Sequence, residues 1–290
     1  MTGTVLQKND IANMLGTRKA DANKGDSGHG LLLAGSREMP GAACMAAAAA
    51  LRGGIGTLKV MCPMPAKETL SRLPEAMVLP FPGNGWADLE EGFLERELSH
   101  ATALAIGPGM GREEETDRVL LRLLKANKPT VIDADGLFAL SRQPDQAAVL
   151  HENVMVTPHF GEMARLCGCS IAEVREKQEA LARTKAEEWG CTVLLKGHES
   201  IIAAADGRFA WNKTGNAGLA KGGSGDVLAG IALAMLGQKL KTFEAACAAA
   251  YLLGAAADEA LSLLKERMLM ARDVTDMIEI TLAQNTYRSS

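Results

Sequence analysis

Asn212–Asp226 reads NKTGNAGLAKGGSGD and runs without a break into VLAGIALAML at residues 227–236. A glycine-rich stretch that passes straight into an apolar helical pattern marks a helix N-terminus. Gly222, Gly223 and Gly225 let successive backbone N–H groups converge, and the helix start adds positive potential. Together they make an anion hole suited to a phosphoryl group in transit. Asp226 falls in the first helical turn, beside that hole. A carboxylate there can act as a general base on a hydroxyl or as a helix cap. The surrounding glycines favour the base.

Working outward, short apolar runs alternate with helical patterns, the signature of a layered α/β sheet. Leu31–Ala34, Thr57–Met61, Ala101–Ile106, Thr130–Asp133 and Val154–Val156 are expected strands. So are Cys191–Lys196, Ser200–Ala204 and Arg208–Trp211, the last two joined by a turn at Asp206–Gly207. Helices are expected over Ala42–Leu51, Glu113–Ala126, Ile171–Trp189 and nearly everything after Ser224. Five loops follow strand ends: Gly35–Gly41, Gly107–Gly111, Asp133–Gly136, Thr157–Glu162 and Lys196–Ser200. In open α/β sheets ligands bind outside the carboxyl ends of the strands, so these loops are expected to line one crevice.

The bulk numbers exclude several classes. The 290 residues hold 31 Lys and Arg against 35 Asp and Glu, for a net charge of −4, with no long basic block. A nucleic-acid partner has no electrostatic footprint here, and 4% aromatic residues supply no base-stacking platform. The six cysteines form no CxxC, so free thiols in a reducing cytosol are expected. The N-terminus lacks a charged segment followed by an apolar core, and is no secretory signal. Ala245–Ala257 is too short to span a bilayer and is expected to be a buried helix. The protein is therefore expected to be cytoplasmic, with no membrane partner.

Neither GxxxxGK[ST] nor GxGxxG is present; Gly107, Gly109 and Gly111 have the wrong spacing for the latter. A Walker-type NTPase and a Rossmann dehydrogenase are both disfavoured. Other residues keep bland alternatives. His159 can be a structural histidine or a ligand contact. Asp133 and Asp135 can be turn formers or lie near substrate or metal. Gly107–Gly111 can be a plain turn. Met61, Met64 and Met77 are expected core filler, and Cys167 and Cys169 are not expected to be catalytic.

GDSGHGLLLAGSREMPGAACMAAAAALRGGIGTLKV (residues 25–60), AIGPGMG (105–111), VIDADGL (131–137), VTPHFGEMARLCG (156–168), LLKGHES (194–200) and GNAGLAKGGSGDVLAGI (215–231) occur in this order. Together they resemble the NAD(P)H-hydrate dehydratases of the ribokinase-like superfamily, from Lys24 to Asp273. The resemblance implies an α/β fold, a ribokinase-like three-layer α/β/α sandwich with a central mostly parallel sheet, as a single domain over residues 1–290. It implies phosphorylation of the C6 hydroxyl of the S epimer of hydrated NADH or NADPH, followed by elimination of phosphate. ADP would be the co-substrate, converted to AMP and phosphate, although the sequence leaves ADP against ATP open, as it does NADH against NADPH.

By the same resemblance Asp226 is the base, and Gly222 to Gly225 form the anion hole, with Gly223 and Gly225 central and Gly225 also touching nucleotide. Lys196, Gly197, His198, Glu199 and Ser200 would wrap the AMP moiety. Ala42, Gly109, His159 and Asp226 would hold the hydrated dinucleotide. His159-Phe-Gly-Glu162 resembles the superfamily's Asn-x-x-Glu element, so Glu162 would organise Mg²⁺ through water. The chain departs from the family at Phe160 and Ala217, where Pro is common, and at Lys221, where Thr is common. Lys221 is compatible with added charge on a phosphate. A homotetramer is implied, and the family's companion epimerase would be a separate protein. The rival readings are a related kinase of a thiazole or pyrimidine alcohol, and a nucleotide-sensing protein without catalysis.

Overall fold

A computed structural model describes residues 3–17, 21 and 23–285. The single domain expected over residues 1–290 includes 1–2, 18–20, 22 and 286–290, which lie outside the described residues. The strands are β1 (Thr4–Val5), β2 (His29–Leu33), β3 (Thr57–Pro63), β4 (Ala76–Phe81), β5 (Ala103–Ile106), β6 (Thr130–Ile132), β7 (Val154–Val156), β8 (Thr192–Leu195), β9 (Ser200–Ala203) and β10 (Phe209–Asn212). They form one sheet in the order β1-β10-β9-β8-β7-β6-β5-β2-β3-β4. Only β9 runs against its neighbours, β8 and β10. The expected α/β class with a mostly parallel sheet is therefore present, with its antiparallel pairing late in the chain.

Side chains alternate across a strand, and here they separate two apolar layers. Leu32, Val60, Ala105, Val131, Met155 and Leu194 face the helices Pro40–Arg52, Ser224–Gly237, Thr242–Ala260 and Ala271–Asn285. Leu31, Leu33, Ile106, Ile132, Val156 and Leu195 face Glu114–Lys125, Phe160–Cys167 and Gln178–Trp189 on the other side. Both faces of the sheet are covered, giving three layers. The helix spanning Ala245–Ala257 is buried as expected, and among the described residues no helix is long and apolar enough to cross a membrane.

Several expectations need correction. Met61 is buried, but Met64 and Met77 are each 44% exposed. Met64 opens a one-turn helix past the end of β3, and Met77 lies on β4 at the sheet edge, so neither has a second layer above it. The stretch Ile171–Trp189 is two helices, broken where Lys177 leaves helical geometry. Asp133–Gly136 and Thr157–Glu162 are not loops throughout, because helices begin at Asp135 and Phe160.

The five strand-end segments do adjoin in the order of the sheet. Gly35 N–H donates to Pro108 O at 2.8 Å. Gly111 N–H donates to the Asp135 carboxylate at 2.9 Å. Thr157 Oγ1 donates to Asp133 Oδ1 at 2.7 Å. Lys196 N–H donates to Pro158 O at 2.8 Å, beside a parallel bridge between His159 and Lys196. The chain order reverses between β2 and β5, which is where an open α/β sheet offers its crevice.

Candidate functional site

The helix Ser224–Gly237 starts over this edge. Gly223 is its N-cap residue, with φ +98° and ψ −21°, and no side chain caps the helix. Its first N–H groups are thus left for an anion. Only glycine suits this bend: a Cβ on Gly223 would lie 2.5 Å from Met45 Sδ and 2.9 Å from Ala271 Cβ. Asp226 sits in the first turn without occupying the cap position. The capping alternative for Asp226 is therefore not what the fold uses.

Facing that helix start is a row of polar residues that continues the apolar rows of the sheet. Val131, Met155 and Leu194 point toward the Ser224–Gly237 layer. Two residues further along β6, β7 and β8, the same face carries Asp133, Thr157 and Lys196. Asp133 is 1% exposed and Thr157 fully buried. Lys196 Nζ lies 2.6 Å from Asp133 Oδ1 and 3.7 Å from Glu162 Oε2. A Cβ placed on Gly225 would be 3.5 Å from both Lys196 Nζ and Asp133 Oδ2, so the ion pair reaches the glycine hole.

Asp133 and Asp135 diverge around Ala134, which has φ +48°, a conformation rare for a residue with a side chain. Asp133 turns to Lys196 and Thr157. Asp135 instead holds Gly111 N–H and pairs with Arg112 at 3.2 Å. The pair is thus more than a turn former, and it ties the Gly107–Gly111 segment in place.

His159 and Glu162 cap one helix reciprocally. His159 Nδ1 accepts from Gly161 N–H at 3.0 Å and Glu162 N–H at 3.2 Å, while Glu162 Oε2 accepts from His159 N–H at 2.8 Å. Because Nδ1 accepts, the proton of the neutral ring is on Nε2. That nitrogen lies 3.5 Å from Glu162 Oε1, on a side chain that is 59% exposed. His159 therefore has a structural part and an exposed ring.

The electrostatics follow from burial and crowding. Burial, then the Asp133 charge, push the Asp226 carboxyl up to about 7, with Lys196 opposing and Asp135 adding. Burial also lifts Glu162 above the usual carboxylate range, against the pull of Lys196. For Lys196 burial works against the charged form, but Asp133 and Glu162 outweigh it and keep the ammonium protonated.

A cavity of about 720 Å³ opens beside the hole. Lys196, Gly197, His198, Ser200 and Gly225 line it, as does His159. Glu199 does not; it pairs with Lys213 at 3.2 Å. Ala42 and Gly109 meet elsewhere, at the β2–β5 crevice, where a Cβ on Gly109 would lie 2.8 Å from the Ala42 methyl. Sequence reasoning missed the far wall, formed by Asn212, Thr214, Asn216 and Leu253. The signal was the polar run NKTGN, quoted for its glycine and not for its side chains. Asp258 fixes this wall by accepting from Gly215 N–H at 2.8 Å and Asn216 Nδ2 at 3.0 Å.

The three departures have structural accounts. Lys221 is not aimed at a phosphate: its ammonium donates to the carbonyls of Arg267 at 2.6 Å and Leu269 at 2.7 Å. Ala217 N–H donates to Glu266 Oε1 at 3.0 Å, a bond that Pro could not make. Phe160 occupies the first helical position, which tolerates Pro because its N–H has no helical partner. Its ring sits under Arg175, 5.5 Å from the guanidinium.

Known proteins share this chain's sequence pattern and fold. A sequence profile of the family described as NAD(P)H-hydrate dehydratase matches residues 30–280. An ADP-dependent (S)-NAD(P)H-hydrate dehydratase of Bacillus subtilis is 34% identical, over 90% of this chain and 91% of that protein. The Neisseria meningitidis protein of the same name is 38% identical, over 83% of this chain and 80% of that one. A bifunctional NAD(P)H-hydrate repair enzyme of Moorella thermoacetica is 39% identical, and the chain spans about half its length, 52%. Among solved structures, the ADP/ATP-dependent NAD(P)H-hydrate dehydratase of B. subtilis, crystallised with ATP and Mg²⁺, has a TM-score of 0.84 at 31% identity, covering 98% of this chain and 99% of that one. A ribokinase-like protein of Enterococcus faecalis has a TM-score of 0.85 at 27% identity, covering 98% and 96%.

Proposed function

The chain belongs to the NAD(P)H-hydrate dehydratase family, and on that footing we propose that it dehydrates the S epimer of hydrated NADH and NADPH with ADP as co-substrate. The observation that carries the reading is the uncapped, glycine-turned helix start with Asp226 in its first turn. Asp226 takes the proton of the C6 hydroxyl as that oxygen bonds to the β-phosphorus of ADP. The bond from this phosphorus to the bridging oxygen breaks, and its electron pair leaves with AMP. Backbone N–H groups of Gly223 to Gly225 receive the phosphoryl oxygens. The phosphorylated ring then loses phosphate from C6 and a proton from C5, restoring the dihydropyridine.

AMP occupies the cavity bounded by Lys196 to Ser200, with Gly225 beneath its phosphate. The dinucleotide extends along Ala42 and Gly109 to the exposed ring of His159. Mg²⁺ fits this site only through water. Among the described residues no three His, Cys, Asp or Glu side chains form a metal cage. One oxygen of Glu162 is bonded to the His159 N–H, and Lys196 stands 3.7 Å from it. Glu162 would hold the ion's water shell, and the ion would supply charge to the nucleotide phosphates. The reading includes one catalytic domain over residues 1–290, a homotetramer, and a separate epimerase acting on the same metabolite.

The test mixes purified protein with hydrated NADH, Mg²⁺ and either ADP or ATP, and follows the return of dihydronicotinamide absorbance. Recovery with ADP, with AMP and phosphate formed in equal amounts, is expected. No recovery with either nucleotide defeats the reading.

A further inference from the structure

Lys196 opens the loop that lines the nucleotide cavity, yet its side chain leaves that loop in another direction. Gly197 and His198 are exposed at the cavity, whereas the Lys196 side chain is only 20% exposed. Its ammonium lies against Asp133, and a Cβ on Gly225 would be 3.5 Å away from it. It therefore faces the floor of the glycine hole. An ammonium has three protons to donate. Asp133 takes one at 2.6 Å, and Glu162 is at 3.7 Å, beyond a good hydrogen bond, which leaves donors for an incoming oxygen.

Asp133 is itself fixed. Its Oδ1 also accepts from Thr157 Oγ1 at 2.7 Å, so the carboxylate is clamped between two donors. A lysine stem has four flexible carbons, and a buried carboxylate gives it one direction. A purely structural ion pair needs neither a glycine opposite it nor a helix start above it. We propose that Lys196 is a catalytic group, its ammonium neutralising the phosphoryl group in the glycine hole, and that Asp133 is the residue that positions it. This rests on the dehydratase reading above and assigns the side chain to the transferred phosphoryl group, not to the AMP moiety. As the bond from β-phosphorus to AMP breaks, negative charge gathers on the phosphoryl and bridging oxygens. Lys196 meets that charge as a cation and neither gains nor loses a proton. The charges of Asp133 and Glu162, which keep it protonated, serve the same end.

The test uses wild type, Lys196→Met, Lys196→Arg and Asp133→Asn with Mg²⁺ present. Calorimetry measures AMP binding, then binding of inorganic phosphate to the AMP complex; kcat and KM for ADP are measured alongside. In Lys196→Met, AMP affinity should stay within about twofold, which also shows that the site is folded. Phosphate binding should be lost, and kcat should fall roughly 10²–10³-fold, as on removal of one donor from a developing oxyanion. Lys196→Arg keeps the charge and should recover part of both. Asp133→Asn should keep phosphate binding and lose kcat, because the cation is present but not aimed. Parallel loss of AMP and phosphate affinity in both Lys196 variants, with kcat unchanged, would overturn the proposal. Phosphate binding that depends on Lys196 in a protein that never turns over hydrated NADH would instead defeat the dehydratase reading and leave this assignment standing.

Discussion

In Asp226→Asn the carboxylate proposed to take the substrate proton becomes a neutral amide of the same size. Its activity should fall roughly 10²–10⁴-fold, the usual contribution of a positioned base. The structure adds a second, opposite effect on stability. Burial and the Asp133 charge push the Asp226 carboxyl up to about 7, whereas in an unfolded chain it titrates near ~3.9. The folded protein therefore keeps a proton that the unfolded chain releases as pH rises between these values. For an acid with a raised folded pKa, stability falls as pH climbs through that window. The gap corresponds to about 4 kcal/mol by pH 8. Asn forgoes the attraction of a carboxylate to the helix start, about 0.3–1 kcal/mol, and solvent at the site screens part of the rest. A net gain of about 2–3 kcal/mol remains. In a chain of this size that raises Tm by roughly 3–5 °C. Thermal melts of both proteins at pH 8 and pH 5 are the assay. At pH 5 the folded Asp226 is protonated while the unfolded one is still largely ionised, so the gap should shrink to about a third of its pH 8 value. Equal melting at pH 8, or a gap as large at pH 5 as at pH 8, would show that no repelled charge sits at this position. Below pH 7 the wild-type kcat/KM should drop about tenfold per pH unit.

Gly223→Val should abolish turnover while the sheet stays folded by circular dichroism, since φ +98° and the Met45 and Ala271 contacts exclude a branched side chain; retained activity would mean that the bend is not a phosphate cradle. His159→Ala removes both a cap and the Nε2 donor, so it should cost about 1 kcal/mol of stability and raise KM for hydrated NADH about tenfold. His159→Asn keeps a capping oxygen and should restore stability but not KM; equal KM values for wild type and both variants would take His159 out of substrate binding. Chelation by EDTA should stop turnover without lowering Tm of the ligand-free protein, because among the described residues no protein cage would hold the ion; a large drop in Tm would place a structural metal in the fold.

Much of the fold was legible because it rests on local patterns. Val154–Val156 has the bounds expected of it, and the Asp206–Gly207 turn joins β9 to β10 with Gly207 at φ +86°. What was missed lacks a local signal. β4 contains Pro80, which argues against a strand except at an edge, and β4 is an edge. β1 is two residues long. The helix Phe160–Cys167 starts behind a histidine cap, outside the usual Ser, Thr, Asp and Asn set. At the site, Asp226 and its glycines were legible because they are neighbours in the chain. Asp133 and Lys196 are separated by 63 positions and meet only because β6, β7 and β8 are adjacent. Sequence spacing carries no record of that adjacency, so from sequence Lys196 belongs only to its loop and Asp133 keeps two roles open.

The charge balance of the site explains why its parts need one another. Asp133, Glu162 and Asp226 surround the single ammonium of Lys196, while Asp135 is occupied by Arg112. Such a site repels a nucleoside diphosphate unless something offsets the carboxylates. The uncapped helix start offsets part of it, and Lys196 another part. Protonation of Asp226 lowers the remaining excess, and the raised pKa already brings this close to neutral pH. On the proposed mechanism Asp226 must be a carboxylate again when hydroxyl and phosphoryl meet, and at that moment the charge is least tolerated. A divalent ion brought in with the nucleotide would supply the missing positive charge, with Glu162 holding its water shell. Nucleotide and metal should therefore bind as a unit, each weakly without the other, and the reacting base should regain its charge only once both are in place.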